Sequence, residues 1–341
     1  MTRHVLLTGA GGFVGSHMLH RILEDTDWRV TCPVTLRHHG NSDRLAPYLE
    51  GRPDWSSRVR TFLCDLSCPI PATAEIGPVD YVLNVASESH VDRSITNPAP
   101  FVRNNVELML SLLEFARQAQ PEVLLHMGTD EEYGPAYGDY KHREWDTVLP
   151  SNPYSASKAA QSALATAWWR TYQLPVMLTR TMNLISPCQD REKYVPTVIR
   201  KVLAEETVQI HASPDGVPGS RHWIDAREFA GAWLHLLEHA PVQHHPEHDR
   251  PTMYHVVGEE RSNLEIAQTI ADLLGKPLKY ELVSFHASRP GHDLRYALDG
   301  SKLADLGWTP RRPLEETLRD IVDWYVQRPA WLGTEATGAT A

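Results

Sequence analysis

The chain has 341 residues, with 33 Lys and Arg against 43 Asp and Glu and a formal net charge of −10. That length allows two modest domains with substantial cores, and that charge argues against a protein that grips a nucleic-acid backbone regardless of sequence, although a local group of cations can still favour a small anion in a cleft. No apolar run reaches membrane-spanning length, residues 1–4 lack the apolar run of a signal peptide, and the scattered Cys32, Cys64, Cys68 and Cys188 make no disulfide framework, so the expected location is a reducing cytoplasm.

His4-Val5-Leu6-Leu7-Thr8 reads as a buried strand, and Gly9-Ala10-Gly11-Gly12-Phe13-Val14-Gly15 follows it directly, before a stretch with helical apolar spacing. Strand, glycine turn and helix in that order is the setting in which such glycines bind a dinucleotide, because the backbone can approach the pyrophosphate and the helix N-terminus offers free N–H groups. The second strand, over residues 29–36, ends with Val34 or Thr35 where an acid is expected to hold the adenosine ribose. The next residues, Arg37, His38 and His39, read as a solvated loop or as partners of a ribose phosphate. NAD is the expected cofactor and NADP stays open.

A third strand is predicted over residues 59–63, followed by Asp65 and Leu66, which are well placed to touch the adenine. Residues 79–86 form a continuous apolar run, as a strand covered on both faces requires, and it delivers Val85, Ala86, Ser87, Ser89 and His90 to the sheet edge where ligands bind in such folds. A long amphipathic helix is predicted over 101–119, and a strand over 123–127 ends in Gly128-Thr129-Asp130-Glu131-Glu132-Tyr133-Gly134. Asn152-Pro153 then opens a helix carrying Tyr154-Ser155-Ala156-Ser157-Lys158. Residues four apart share a helical face, so the Lys158 ammonium is expected to favour a Tyr154 phenolate that takes a proton from an alcohol as hydride leaves. Asp130 and Glu131 are then placed to move two further protons, or alternatively to cap the next turn. Trp168 and Trp169 on this helix read as core or as a subunit interface.

From about Arg180 the alternation loosens, and Lys193, Arg200, Lys201, Arg221, Arg289 and Arg295 suggest a smaller cap that supplies cations to a diphosphate. The expected division is a dinucleotide-binding domain over 1–180 with return segments near 223–257, a substrate cap over 181–222 and 258–328, and a flexible tail over 329–341. The expected fold class is therefore α/β, a Rossmann-type doubly wound parallel sheet with a smaller C-terminal α/β substrate-binding cap. His235-Leu236-Leu237-Glu238-His239 has the spacing of a zinc-protease motif but reads as the end of a packed helix, and no metal is expected.

These pieces resemble the extended short-chain dehydrogenase/reductases, and within them the nucleoside-diphosphate-hexose 4,6-dehydratases of the NAD-dependent epimerase/dehydratase family. The likeness runs from the glycine turn to near Val326, and its specific parts are Glu88-Ser89-His90-Val91-Asp92-Arg93-Ser94-Ile95, Gly128-Thr129-Asp130-Glu131, Tyr154 to Lys158, Glu192-Lys193 and Arg289-Pro290-Gly291-His292-Asp293. The resemblance implies that Tyr154, with Lys158 and Thr129, assists hydride transfer from sugar C4 to NAD, that Glu131 removes the C5 proton, and that Asp130 protonates the departing C6 hydroxyl. It further implies that Ser89, His90, Asn183, Glu192, Lys193, Arg221, Arg289 and His292 hold a nucleoside-diphosphate sugar, and that two long helices build a homodimer through a four-helix interface. A nucleotide-sugar epimerase using the same C4 oxidation, and a non-catalytic dinucleotide sensor, are the alternatives. The chain departs from the family's pattern at Val34, in Arg180-Thr181-Met182-Asn183-Leu184-Ile185-Ser186-Pro187, at residues 189–191 and over 211–219, so the reaction type is better supported than the sugar or the base.

Overall fold

The computed structural model describes residues 2–35, 40, 42–45, 49–284 and 294–333. Seven parallel strands form the main sheet: β1 (His4–Thr8), β2 (Arg29–Val34), β3 (Val59–Leu63), β4 (Tyr81–Asn84), β5 (Val123–Thr129), β6 (Val176–Thr181) and β10 (Thr252–Val256), in the order β10-β6-β5-β4-β1-β2-β3. Every residue of β1, β4, β6 and β10 is buried, because the sheet is covered on both faces and both sets of alternating side chains must be apolar or paired.

Val5, Leu7 and Val30 pack on one face with helices α1 (Phe13–Asp25) and α5 (Ala226–His239), while Leu6, Val82 and Leu124 pack on the other with α2 (Pro98–Ala119) and α3 (Pro153–Tyr172). On α3, Trp169 is buried and donates its indole N–H to the Gln243 carbonyl, whereas the half-buried Trp168 donates to Glu114 of α2 at 2.9 Å.

The smaller part has a second core. It holds the sheet β11-β9-β7, made of β7 (Asn183–Ile185), β9 (Ser220–Asp225) and β11 (Glu259–Ser262), and the parallel pair β8 (Val208–Ala212) and β12 (Tyr280–Ser284). Helices α4 (Tyr194–Leu203), α6 (Asn263–Leu273) and α7 (Leu314–Gln327) close it through Val198, Ile199, Ile270, Leu318 and Ile321. Of the tail expected over 329–341, the described part is packed. Pro329–Leu332 is a helical turn, Leu332 is 2% exposed, and Trp331 stacks edge-on against Trp324 of α7, since these side chains complete the second core. Residues 334–341 lie outside the described residues, as do Arg37, His38, His39, Arg289 and His292.

Candidate active site

The C-terminal ends of β1, β4, β5 and β6 open onto a cleft of about 580 Å³ that runs from the glycine turn to the smaller part. At its first end Gly9 has φ +71, Gly12 N–H donates to the Gly9 carbonyl at 2.8 Å, and a Cβ at Gly15 would stand 2.0 Å from the Gly9 oxygen. Only glycine allows that approach of helix to strand. Gly12 caps α1 without a side-chain bond, and the first turn of α1 carries no acid, so its open N–H groups and dipole are left for an anion. Gly9, Gly12, Phe13, Val14, Gly15, Asp65, Leu66, Val85, Ala86 and Ser87 all line this end, as do Val34 and Thr35. This lining fits a dinucleotide.

At the middle of the cleft β5 ends in a turn that separates three consecutive acids. Thr129 is its N-cap, and Glu132 three residues on accepts the Thr129 N–H at 3.0 Å, a capping box. The cap is therefore chiefly Glu132, which the sequence reading did not single out although Thr-x-x-Glu is its spacing. Asp130 and Glu131 line the cleft. Asp130 is 5% exposed, and its Oδ1 accepts from the Thr129 hydroxyl and the Glu131 N–H, both at 3.0 Å. Burial, and then the neighbouring Glu131 charge, push its carboxyl up to about 7 against the opposing pull of Arg221. Glu131 is half-buried and accepts from the Asn152 side-chain amide at 3.0 Å.

Asn152 also caps α3 by accepting the Ser155 N–H, with Pro153 in the first turn, which aims Tyr154 and Lys158 into the cleft. Tyr154 lines the cleft beside Thr129, whose hydroxyl favours its ionised form. Burial, followed by the charges of Glu131 and Asp130, raises its pKa, opposite to the phenolate expected from Lys158 alone. Lys158 is held by other partners. Its Nζ donates to the Met127 carbonyl at 2.7 Å and to Gln161 Oε1 at 2.8 Å, and burial lowers its pKa to about 8 while the Glu132 charge opposes this.

Ser89, His90, Asn183, Glu192 and Lys193 line the far end of the cleft, together with Gln189, Lys201, Gln209 and His211. Lys193 donates to the Ser89 carbonyl at 3.1 Å, and Glu192 pairs with Arg93 at 2.8 Å. His90 caps a short helix, Val91–Thr96, by accepting the Arg93 N–H. Arg221 donates to the Ser220 and Leu294 carbonyls, stacks on Tyr296 at 4.6 Å and acts on the Asp130 carboxyl through its charge. Two further residues had no sequence signal. Gln161 bridges Lys158 to the Asn105 carbonyl, and buried Arg44 joins the Cys188 carbonyl and Asp190. His235 bonds the Leu306 carbonyl, and no metal-binding group of three His, Cys, Asp or Glu occurs among the described residues.

The model of the NAD dependent epimerase/dehydratase family matches residues 5–248. The chain belongs to that family. Among fellow members, dTDP-glucose 4,6-dehydratase of Salmonella typhimurium is 34% identical, over 98% of this chain and 96% of its own. The solved structure of DesIV, a dTDP-glucose 4,6-dehydratase from Streptomyces venezuelae with NAD and TYD bound, superposes with a TM-score of 0.83 at 30% identity, covering 96% of this chain and 98% of that one. A UDP-glucose 4-epimerase from Thermus thermophilus in complex with NAD reaches 0.82 at 26% identity, over 95% and 99%. The family member described here thus shares its fold with dehydratases and epimerases alike. Among the described residues no helix is long and apolar enough to cross a membrane.

Proposed function

We propose that this family member is a nucleoside-diphosphate-sugar 4,6-dehydratase that uses NAD and converts its substrate to a 4-keto-6-deoxy sugar nucleotide with loss of one water. The observation that carries the reading is the pair of acids at the end of β5, one of them, Asp130, buried and with its carboxyl raised to about 7. Elimination beside a ketone needs one group that accepts a proton and one that donates it, with their affinities set apart.

NAD, held along the glycine turn, would take hydride from sugar C4 and give it back at C6, so that the net change is loss of water with no net redox. The chain does the rest. Tyr154, with Thr129 beside it, takes the proton of the C4 hydroxyl, and Lys158 one helical turn on supplies a cation to the same part of the cleft. Glu131, held by Asn152, removes the C5 proton that the new ketone acidifies. Asp130, protonated near neutral pH, gives its proton to the C6 hydroxyl as it leaves. Ser89, His90, Asn183, Glu192 and Lys193 face the sugar and diphosphate. Residues 1–180 and the return segment near 223–257 serve the cofactor, and the smaller part serves the substrate. Arg289 and His292 belong to the same substrate set by the motif they sit in, and a cytoplasmic homodimer through α2 and α3 completes the reading.

Incubation with a panel of nucleoside-diphosphate hexoses, read by mass spectrometry, tests it. A product lighter by one water is expected from at least one of them. A product of unchanged mass would make the protein an epimerase, and no turnover at all would leave a dinucleotide-binding sensor.

A further inference from the structure

The third acid of the turn has no part in the reaction above, yet both of its carboxylate oxygens are bonded within the protein. Glu132 is 0% exposed. Its Oε1 accepts the Thr129 N–H, and its Oε2 accepts Nε and Nη2 of Arg180 at 3.0 and 2.8 Å. Room for that carboxylate exists only because position 128 is glycine: a Cβ there would stand 2.5 Å from Glu132 Oε1. Arg180 is clamped in turn. It lies 4.0 Å from the centroid of the Tyr133 ring, whose hydroxyl bonds the Glu144 carbonyl at 2.7 Å and meets His255 Nε2 at 2.8 Å. A buried ion pair is weak evidence for stability, since well-packed apolar residues often replace one at no cost. What this pair is aimed at is therefore informative. Through the Thr129 N–H it fixes the residue whose hydroxyl bonds Asp130 and which lines the cleft beside Tyr154, and its charge acts on the Lys158 ammonium.

We propose that Glu132, clamped by Arg180, is a positioning residue of the reaction: it holds the Thr129 turn in register with Tyr154 and provides the counter-charge of Lys158. The proposal rests on the dehydratase reading. Among the described residues, the titratable groups whose charges meet Lys158 are Glu132, from the turn after β5, and His126, from β5, with Arg180 of β6 paired to Glu132. From α2 the neighbours are Asn104 and Asn105, which do not titrate. His126 is kept neutral, its pKa lowered by burial and then by Lys158 and Arg180, and Arg180 is a cation. Glu132 is thus the anion that keeps Lys158 charged.

The test is Glu132→Gln, which keeps the acceptor for the Thr129 N–H and removes the charge. The 15N resonance of Lys158 Nζ, assigned with Lys158→Arg, gives a readout independent of turnover. It is expected to titrate about one pH unit lower in the variant than in the wild type. The alkaline limb of C4 oxidation, followed by NADH absorbance, should move down in step with it. An unchanged titration and an unchanged pH profile would overturn the proposal, even with a lower melting temperature. Should Glu132→Gln fail to fold, Glu132→Gln with Arg180→Met removes both buried charges. In that variant the Thr129 turn has lost its Arg180 clamp, so C4 oxidation must be slowed, and wild-type oxidation in it would overturn the proposal. Failure of the dehydratase reading itself shows separately, as absence of a dehydrated product from the wild type, while the Lys158 titration still judges the placement of Glu132.

Discussion

A carboxyl that must be protonated at neutral pH has to be kept from water, and Asp130 shows what that costs. Its folded pKa is raised from 3.8 to about 7, so the folded state holds a proton that the unfolded chain releases. The stability it contributes is whole below the unfolded pKa and is lost as pH rises through about 7. Asp130→Asn keeps the Oδ1 acceptor for Thr129 and Glu131 and removes the ionisation. The free enzyme should therefore gain about 2 kcal/mol more at pH 8.5 than at pH 5.5, measured as urea unfolding at both. The same variant should slow elimination by about 10²-fold or more, and accumulate a 4-keto sugar that still carries its C6 hydroxyl. Full dehydratase activity in Asp130→Asn would remove this carboxyl from the chemistry. The wild-type rate of elimination should also decline as pH rises through about 7, because the ionised form has no proton to give.

At the scale of elements, the glycine turn and the capped end of β5 differ in how each is specified. The turn is written in adjacent residues: strand, three glycines and helix follow one another in the sequence, and Gly15→Ala would push a methyl group to 2.0 Å from the Gly9 oxygen and 2.8 Å from Ala10 Cα. Backbone cannot yield there as a flexible side chain would. Gly15→Ala should lose about 1–3 kcal/mol of stability and measurable NAD affinity together, by calorimetry; normal NAD binding in a stable variant would show that the turn does not cradle the cofactor. Tyr154 and Lys158 were legible for the same reason, since a spacing of four on one helix is local. The β5 end was legible only in part. Its chemistry showed in the cluster of acids, but which acid is structural depends on Arg180, 48 residues away, and on a space made by Gly128. Leu332 was assigned to a tail because its burial depends on contacts with α4 and α7 that no pattern of neighbours reveals.

For the whole molecule the open question is the face of α2 and α3 that looks away from the sheet. The two helices pack on each other, and Val102 and Leu110 of α2 and Tyr172 of α3 stay 37%, 42% and 48% exposed. If this face meets its copy about a two-fold axis, each substitution acts twice, because the same patch is used by both partners. Leu110→Arg would then place two unpaired guanidinium groups against apolar surface and also forfeit the burial of two leucines, about 1.5–3 kcal/mol each. Light scattering during gel filtration should find the wild type at twice the chain mass of 38.5 kDa and Leu110→Arg at the chain mass itself. Since α3 also carries Tyr154 and Lys158, the monomeric variant should show reduced turnover while its far-UV circular dichroism is unchanged. A wild type that elutes at the chain mass would sink the dimer, and with it the idea that pairing of α3 steadies the catalytic helix.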